Sequence, residues 1–428
     1  MYYAYSLLLT FVLLGWSPSI FLGTLGSRRR REGWRERLGY YPDALVSRLR
    51  ELHPVWLHAV SVGEVGAASI LANRWTTSHP KLSLVVSTVT GTGREVARRS
   101  LRQAAGIVYF PLDLPMIVHR ALAAFRPRLV LLTETEIWPN FLQACVLSKI
   151  PVAVINGRIS GRSFRRYRLV RPFFRRVLQG IDLFCMQTGT DAERILALGA
   201  NPERVHVVGN LKFDAAPQSH VSSLAKQWRH ELNIEPSRPV VVAGSTHAGE
   251  EEVLVRAFVR LRREFPSLLL ILAPRHPDRL AAVEAVIAAN GLSVIRRTAL
   301  AKARDGEKEV ILLDTVGELS ALYSIGTVAF IGGSLVPRGG HNLLEPVLCG
   351  RPVLFGPHMD NFAEASALFV ECGAALQVND GEELAGQLAR LLRDPSARER
   401  MGQAAMEALA AHRGACERTV ALLERFVS

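Results

Sequence analysis

Short apolar runs separated by helically spaced stretches dominate this chain. In the first half they fall at Val55-Trp56-Leu57, Leu84-Val85-Val86, Leu129-Val130-Leu131-Leu132, Val152-Ala153-Val154-Ile155 and Val205-His206-Val207-Val208. The second half repeats the rhythm at Val240-Val241-Val242-Ala243, Leu268 to Leu272, Val310-Ile311-Leu312-Leu313, Val328-Ala329-Phe330-Ile331 and Pro352-Val353-Leu354-Phe355. Such runs suit strands covered on both faces, and the helical patterns between them imply parallel sheets with helices on either side. Residues 214–238 are polar, lose the strand rhythm and are punctuated by Pro217 and Pro236. The pattern therefore predicts two Rossmann-like α/β domains, 28–213 and 239–396, joined by a linker over 214–238. A helical tail over 397–428 is expected to pack back across both. Two such domains facing a cleft place ligands at the carboxyl ends of their strands.

The N-terminus adds a location. Tyr2 to Ser27 carry no charged side chain, and Arg28, Arg29, Arg30, Arg31, Arg35 and Arg37 follow. That length is enough to cross a hydrocarbon core of roughly 30 Å as a helix. Positive charge after the apolar run, rather than before it, argues against a cleaved signal peptide and keeps the following domains in the cytoplasm. Residues 1–27 are expected to form a single-pass anchor; the alternative is a helix lying flat in the membrane interface.

A formal net charge of +13 suits anionic lipid headgroups or phosphorylated substrates, and no nucleic-acid motif accompanies it. The five cysteines, Cys145, Cys185, Cys349, Cys372 and Cys416, have no paired spacing, which argues for reduced thiols and against disulfides or zinc.

Candidate chemistry sits at strand ends. His58-Ala59-Val60-Ser61-Val62-Gly63-Glu64 follows a strand and leads into a helical pattern. Glu64 there is either a general base with a raised pKa or a cap of the first helical turn. Thr133-Glu134-Thr135-Glu136-Ile137-Trp138-Pro139-Asn140 ends another strand, and its two carboxylates share a face if the strand continues. Gly91-Thr92-Gly93 reads as a small-residue loop ahead of a helix over Arg94 to Arg102. Asn156-Gly157-Arg158-Ile159-Ser160 opens the most basic stretch, in which Phe164, Tyr167, Phe173 and Phe174 interleave with arginines up to Arg176. Gly209-Asn210-Leu211-Lys212-Phe213-Asp214 brings a lysine to the linker's edge.

The second half is richer in glycine. Gly332-Gly333-Ser334 to Gly339-Gly340-His341-Asn342-Leu343-Leu344-Glu345-Pro346 reads as a strand end, a phosphate-cradling loop and a helix carrying a carboxylate. Ala243-Gly244-Ser245-Thr246-His247-Ala248-Gly249-Glu250-Glu251 looks like another anion cradle, and Ala273-Pro274-Arg275-His276-Pro277 puts an arginine at a strand end. His247, His276 and His341 match no standard metal-ligand spacing and are read as polar contacts.

Taken in order, HAVSVGEV, TETEIWPN, NGRIS, GNLKFD, AGSTHAGEE, APRHP and GGSLVPRGGHNLLEP resemble the 3-deoxy-D-manno-octulosonic acid (Kdo) transferases of lipopolysaccharide biosynthesis. The resemblance covers nearly the whole chain. It implies a GT-B fold and transfer of Kdo from CMP-Kdo to a lipid A precursor at the inner-membrane surface. It makes Glu64 the general base, with Glu134 and Lys212 as transition-state stabilisers. It assigns Pro274, Arg275, Val316, Gly317, Glu318, Asn342, Leu343, Leu344 and Glu345 to the CMP donor, with Glu345 facing the ribose hydroxyls. CMP-Kdo is then a co-substrate, and neither a metal nor a further cofactor is expected. The competing readings are a nucleotide-sugar epimerase on the same frame and a non-catalytic binder of anionic lipid.

Overall fold

The computed structural model describes residues 2–11, 28–215, 221–302 and 308–427. The chain divides into two compact units, residues 1–214 with 412–428, and residues 215–411.

The first unit is built on seven strands: β1 (Val55–His58), β2 (Leu84–Thr88), β3 (Gly106–Tyr109), β4 (Leu129–Thr133), β5 (Val152–Gly157), β6 (Leu183–Met186) and β7 (Val205–Val207). They lie in the order β3-β2-β1-β4-β5-β6-β7, all parallel. The chain order reverses between β1 and β4, the position at which such sheets open a crevice. Alternate residues of each strand face opposite layers. Trp56, Val130, Val154 and Phe184 pack on one side with Phe125 and Phe141. Leu57, Leu131, Ile155 and Cys185 pack on the other with Leu71 and Trp75. Full burial of side chains this large contributes roughly 1.5–3 kcal/mol each, and it explains the unbroken apolar runs.

The second unit repeats the plan with β8 (Val240–Thr246), β9 (Leu269–Pro274), β10 (Val294–Arg296), β11 (Val310–Leu312), β12 (Val328–Ile331), β13 (Val353–Phe355) and β14 (Ala375–Gln377). The order is β10-β11-β9-β8-β12-β13-β14, again all parallel, with the reversal between β8 and β12.

Two expectations about the connections change. The stretch 214–238 is not a bare linker: Val221–Glu231 is a helix of the second unit, with Trp228 buried and Arg229 donating to the Ile325 carbonyl at 3.1 Å. Trp228 is buried together with Leu232 and Ile234, so a segment that is polar on balance docks through a few apolar side chains. The tail is not one helix over 397–428. Pro395–Ala411 belongs to the second unit and Ala415–Leu423 to the first, with Gly414 at φ +92 between them. The carboxylate of Asp214 accepts the backbone N–H groups of Gly414 (2.6 Å) and Cys416, so both crossings between units are tied at one point of the first. Ala415, Cys416 and Leu423 complete a core layer of the first sheet.

The expected anchor over 1–27 lies outside the described residues except for 2–11. Those residues are helical and rest on the first unit. The Tyr5 hydroxyl donates to Asp113 (3.0 Å), the Ser6 hydroxyl donates to Asn140 (3.1 Å), and the Tyr2 ring meets Phe173 edge-on at 5.6 Å. Tyr3, Leu7, Leu8 and Phe11 are exposed. Among the described residues no helix is long and apolar enough to cross a membrane.

Candidate active site

In the first unit the site grows from the carboxyl ends of β1 and β4. After His58 the chain turns through Val60 and Ser61 into the helix Val62–Ser78. Ser61 is the N-cap, its hydroxyl accepting the Glu64 amide at 3.5 Å. The Glu64 carboxylate reaches back: Oε2 accepts the Val60 N–H at 2.8 Å and Oε1 accepts the Ser61 hydroxyl at 2.9 Å. The cap reading of this residue and the buried-carboxylate reading are therefore compatible. The side chain closes the first turn and stays 7 % exposed. Burial raises its pKa, the Val60 hydrogen bond opposes this, and the charge of Glu134 adds to it.

Glu134 and Glu136 do not share a strand face. β4 ends at Thr133, and Glu134 takes a left-handed backbone at φ +58, with its N–H donating to the Ile155 carbonyl. A non-glycine residue in that region carries a conformational cost and marks an over-determined position. The turn still leaves both carboxylates coupled to Glu64: the Glu136 pKa is pushed up to about 7, first by burial and then by Glu64 and Glu134. Lys212 supplies the opposing charge, its Nζ standing 3.6 Å from Glu134 Oε1.

Lys212 is positioned by a network that the sequence motifs do not reveal as one object. Asn156, fully buried at φ +51, accepts the Leu211 N–H on Oδ1 at 2.9 Å. Asn210 accepts the Lys212 N–H (3.0 Å) and donates to Gln187 (3.0 Å), whose own amide donates to the Asn156 carbonyl (2.9 Å). Gln187 does not stand out in the sequence; a buried amide just past a strand end is the only signal it offers. The Trp138 ring stands 5.4 Å from that of Phe110, and His58 stacks on Phe110 at 3.8 Å. Burial holds His58 down at about 3, so it is neutral near pH 7. The Gly91-Thr92-Gly93 stretch is the first turn of the helix Gly91–Ser100 rather than a loop, capped by the Thr90 hydroxyl.

In the second unit the residues gather at the ends of β8, β9, β11 and β12. The glycine-rich loop is a cradle, but its N–H groups are already used. Glu250 is fully buried and accepts N–H bonds from Gly333 (2.6 Å), Ser334 (2.9 Å), Leu335 (2.9 Å) and His247 (2.9 Å). The sequence suggests an external anion here; the structure fills the seat with a carboxylate of its own. Glu251, also buried, holds Arg279 through both guanidinium nitrogens at 2.7 and 3.3 Å. Gly244 cannot carry a side chain, because a Cβ would run into the Tyr323 hydroxyl.

Around this scaffold the remaining candidates come together. Asn342 donates to Glu345 at 3.1 Å and accepts the Leu344 N–H at 3.1 Å, fixing both in the first turn of the short helix Leu344–Leu348. Burial raises the Glu345 pKa. Arg275 follows β9, its N–H donating to the Thr246 carbonyl, and its charge helps to hold His341 at about 4 after burial has lowered it. His247 and His341 meet Nε2 to Nε2 at 2.9 Å, so one ring donates and the other accepts. His276 crosses His247 edge-on at 5.4 Å. Among the described residues no group of three such side chains is arranged to hold a metal. Val316 is exposed, Gly317 is at φ +96, and Glu318 is engaged by Arg297 at 3.2 Å and by the Thr315 hydroxyl.

Residues 32–215 match the family described as 3-deoxy-D-manno-octulosonic-acid transferase (kdotransferase), and residues 245–408 match glycosyl transferases group 1. A 3-deoxy-D-manno-octulosonic acid transferase of Haemophilus influenzae is 35 % identical over 98 % of both chains. The chain belongs to the Kdo transferase family. One from Bordetella pertussis is 35 % identical over 87 % of each chain. A solved UDP-GlcNAc 2-epimerase from Neisseria meningitidis, bound to UDP-GlcNAc, shares the fold at a TM-score of 0.59. At 15 % identity over 87 % of this chain and 100 % of its own, it speaks to fold alone. As a Kdo transferase the protein is an enzyme and a glycosyltransferase. Its two α/β units carry Glu64, Glu134 and Lys212 in one and the Pro274–Arg275, Val316–Glu318 and Asn342–Glu345 segments in the other.

Proposed function

We propose that this Kdo transferase moves Kdo from CMP-Kdo to a lipid A precursor in lipopolysaccharide biosynthesis. The observation that carries the reading is the Glu64 carboxylate. It is buried, raised in pKa, and set beside Glu134, Glu136 and Lys212 at the reversal point of the first sheet. Glu64 takes the proton of an acceptor sugar hydroxyl as that oxygen bonds to the anomeric carbon of Kdo. The bond from that carbon to the CMP phosphate oxygen breaks, and CMP departs from the opposite face, inverting the centre. Lys212 and Glu134 balance the charge that develops during transfer. Pro274, Arg275, Val316, Gly317, Glu318, Asn342, Leu343 and Leu344 form the donor seat, and Glu345 accepts from the ribose hydroxyls. CMP-Kdo serves as co-substrate with no further cofactor.

The enzyme works at the cytoplasmic face of the inner membrane, with residues 1–27 and the basic residues behind them held by phospholipid. Tyr5 and Ser6 bond to buried polar groups of the first unit, which favours a helix lying on the membrane surface over one passing through it. The test is product mass after incubation of the purified protein with CMP-Kdo and a tetraacylated lipid A precursor. A gain of one or more Kdo units is expected for the native chain and none for Glu64→Ala. An intact donor with no gain for the folded native chain sinks the proposal.

A further inference from the structure

A cavity of about 510 Å³ opens in the second unit at the amino-terminal ends of β8, β12 and β13, the sheet edge opposite the donor residues. Its lining includes Arg229, Arg238, Arg351 and Arg398, against a single carboxylate, the exposed Glu399. Each guanidinium is half-buried. Arg229 donates to the carbonyls of Glu235, Arg238 and Ile325; Arg351 donates to that of Ser324; Arg398 donates to those of Leu391 and Leu392. Carbonyls orient these groups without cancelling their charge. Among the described residues none of Arg229, Arg351 and Arg398 is within ion-pairing distance of a carboxylate, and the Arg351 Nε is buried with no hydrogen-bond partner. Burial lowers the pKa of Arg229 and of Arg351; Arg351 lowers Arg229 further, and Arg398 lowers Arg351, so the cluster repels itself. Arg279 and Arg94, also half-buried, are by contrast paired with Glu251 and Glu36.

From the cavity and the unneutralised guanidinium groups of Arg229, Arg351 and Arg398 we infer that this is a second anion site, distinct from the donor seat, which takes a phosphate-bearing ligand. Planar guanidinium forks match phosphate oxygens in pairs, and a volume in the usual small-molecule range admits more than one phosphate group. The ligand is either a soluble phosphorylated molecule or the headgroup of an anionic lipid; the chemistry of the seat is the same.

Inorganic pyrophosphate, titrated calorimetrically into the full chain in mild detergent, probes the soluble source. Flotation with phosphatidylcholine vesicles, with and without phosphatidylglycerol, probes the lipid source. Arg275→Ala removes a donor-seat cation and is expected to leave binding at the second site in place. Arg351→Gln and Arg398→Gln are expected to weaken pyrophosphate binding at least tenfold, or to reduce the preference for anionic vesicles if a headgroup is the ligand. Should Arg351→Gln fail to fold, Ser237→Glu places a carboxylate in the lining without removing a carbonyl contact and is expected to act the same way. Folded variants that bind both probes as the native chain does overturn the site, and so does pyrophosphate binding lost only in Arg275→Ala with flotation unchanged across the variants.

Discussion

Glu250 Oε2 accepts the backbone N–H of Gly333 at 2.6 Å, across a sequence separation of 83 residues. With Ser334, Leu335 and His247 on the same carboxylate, the loop after β8 and the loop after β12 become one rigid piece. Replacing Glu250 by Ala leaves those N–H groups without their acceptor. A loss of roughly 2–4 kcal/mol in unfolding free energy is expected, given the cost of orphaned buried donors. Chemical denaturation of the full chain measures it, and an unchanged midpoint refutes the assigned role.

Glu64→Gln separates cap from base. Gln retains one acceptor for the Val60 N–H, so the melting temperature is expected to fall only slightly. The rate constant for transfer is expected to drop by roughly 10²–10⁴-fold, the usual worth of a general base. A general base acts in its ionised form, so the raised pKa of Glu64 is expected to move the acid limb of the rate profile above the ordinary glutamate range. A profile flat down to pH 4 contradicts this.

The Glu136 carboxyl, pushed up to about 7, makes stability depend on pH in a defined direction. The folded state binds this proton more tightly than the unfolded chain, in which a glutamate titrates near about 4.3. Stability from this group is therefore full below that value, falls as pH rises towards about 7, and is flat beyond. Glu136→Gln is expected to gain roughly 1–3 kcal/mol at pH 8 and nothing at pH 4, since each tenfold difference in proton affinity between the two states is worth about 1.4 kcal/mol. Denaturation midpoints at the two pH values decide it.

Lys212→Ala is expected to cut the transfer rate by at least tenfold while leaving CMP affinity within a factor of two, because the lysine and the donor residues lie in different units. Asn156→Ala is expected to cut the rate less, through loss of the Leu211 N–H acceptor that sets the Lys212 turn. Single-turnover rates alongside CMP titrations read both; equal loss of CMP affinity in either variant argues against the assignment.

The fold was legible where burial is complete on both faces. Strands such as Leu129–Thr133 and Val328–Ile331 lack any polar alternation, so their apolar runs stand out. Edge strands were harder. Val294–Arg296 and Ala375–Gln377 are short, partly exposed and end in polar residues, leaving little pattern to read. Leu183–Met186 is central and buried, yet its four residues follow an arginine-rich stretch that masks the change of period. The site was legible as motifs and not as contacts. TETE showed two carboxylates, but the left-handed backbone of Glu134 that turns them is a tertiary demand. The glycine-rich loop announced clustered N–H groups; only the structure shows that Glu250 occupies them.

The tie at Asp214 has a consequence for synthesis. The first unit is begun before the second and finished after it, because Ala415, Cys416 and Leu423 belong to its core. While the ribosome is still translating, the second unit has every residue it needs and the first does not. Domains fold as units when their chain is available, so the second unit matures earlier although its encoding begins later. A nonsense lesion at His412 would leave the second unit whole and strip a layer from the unit that holds Glu64 and Lys212.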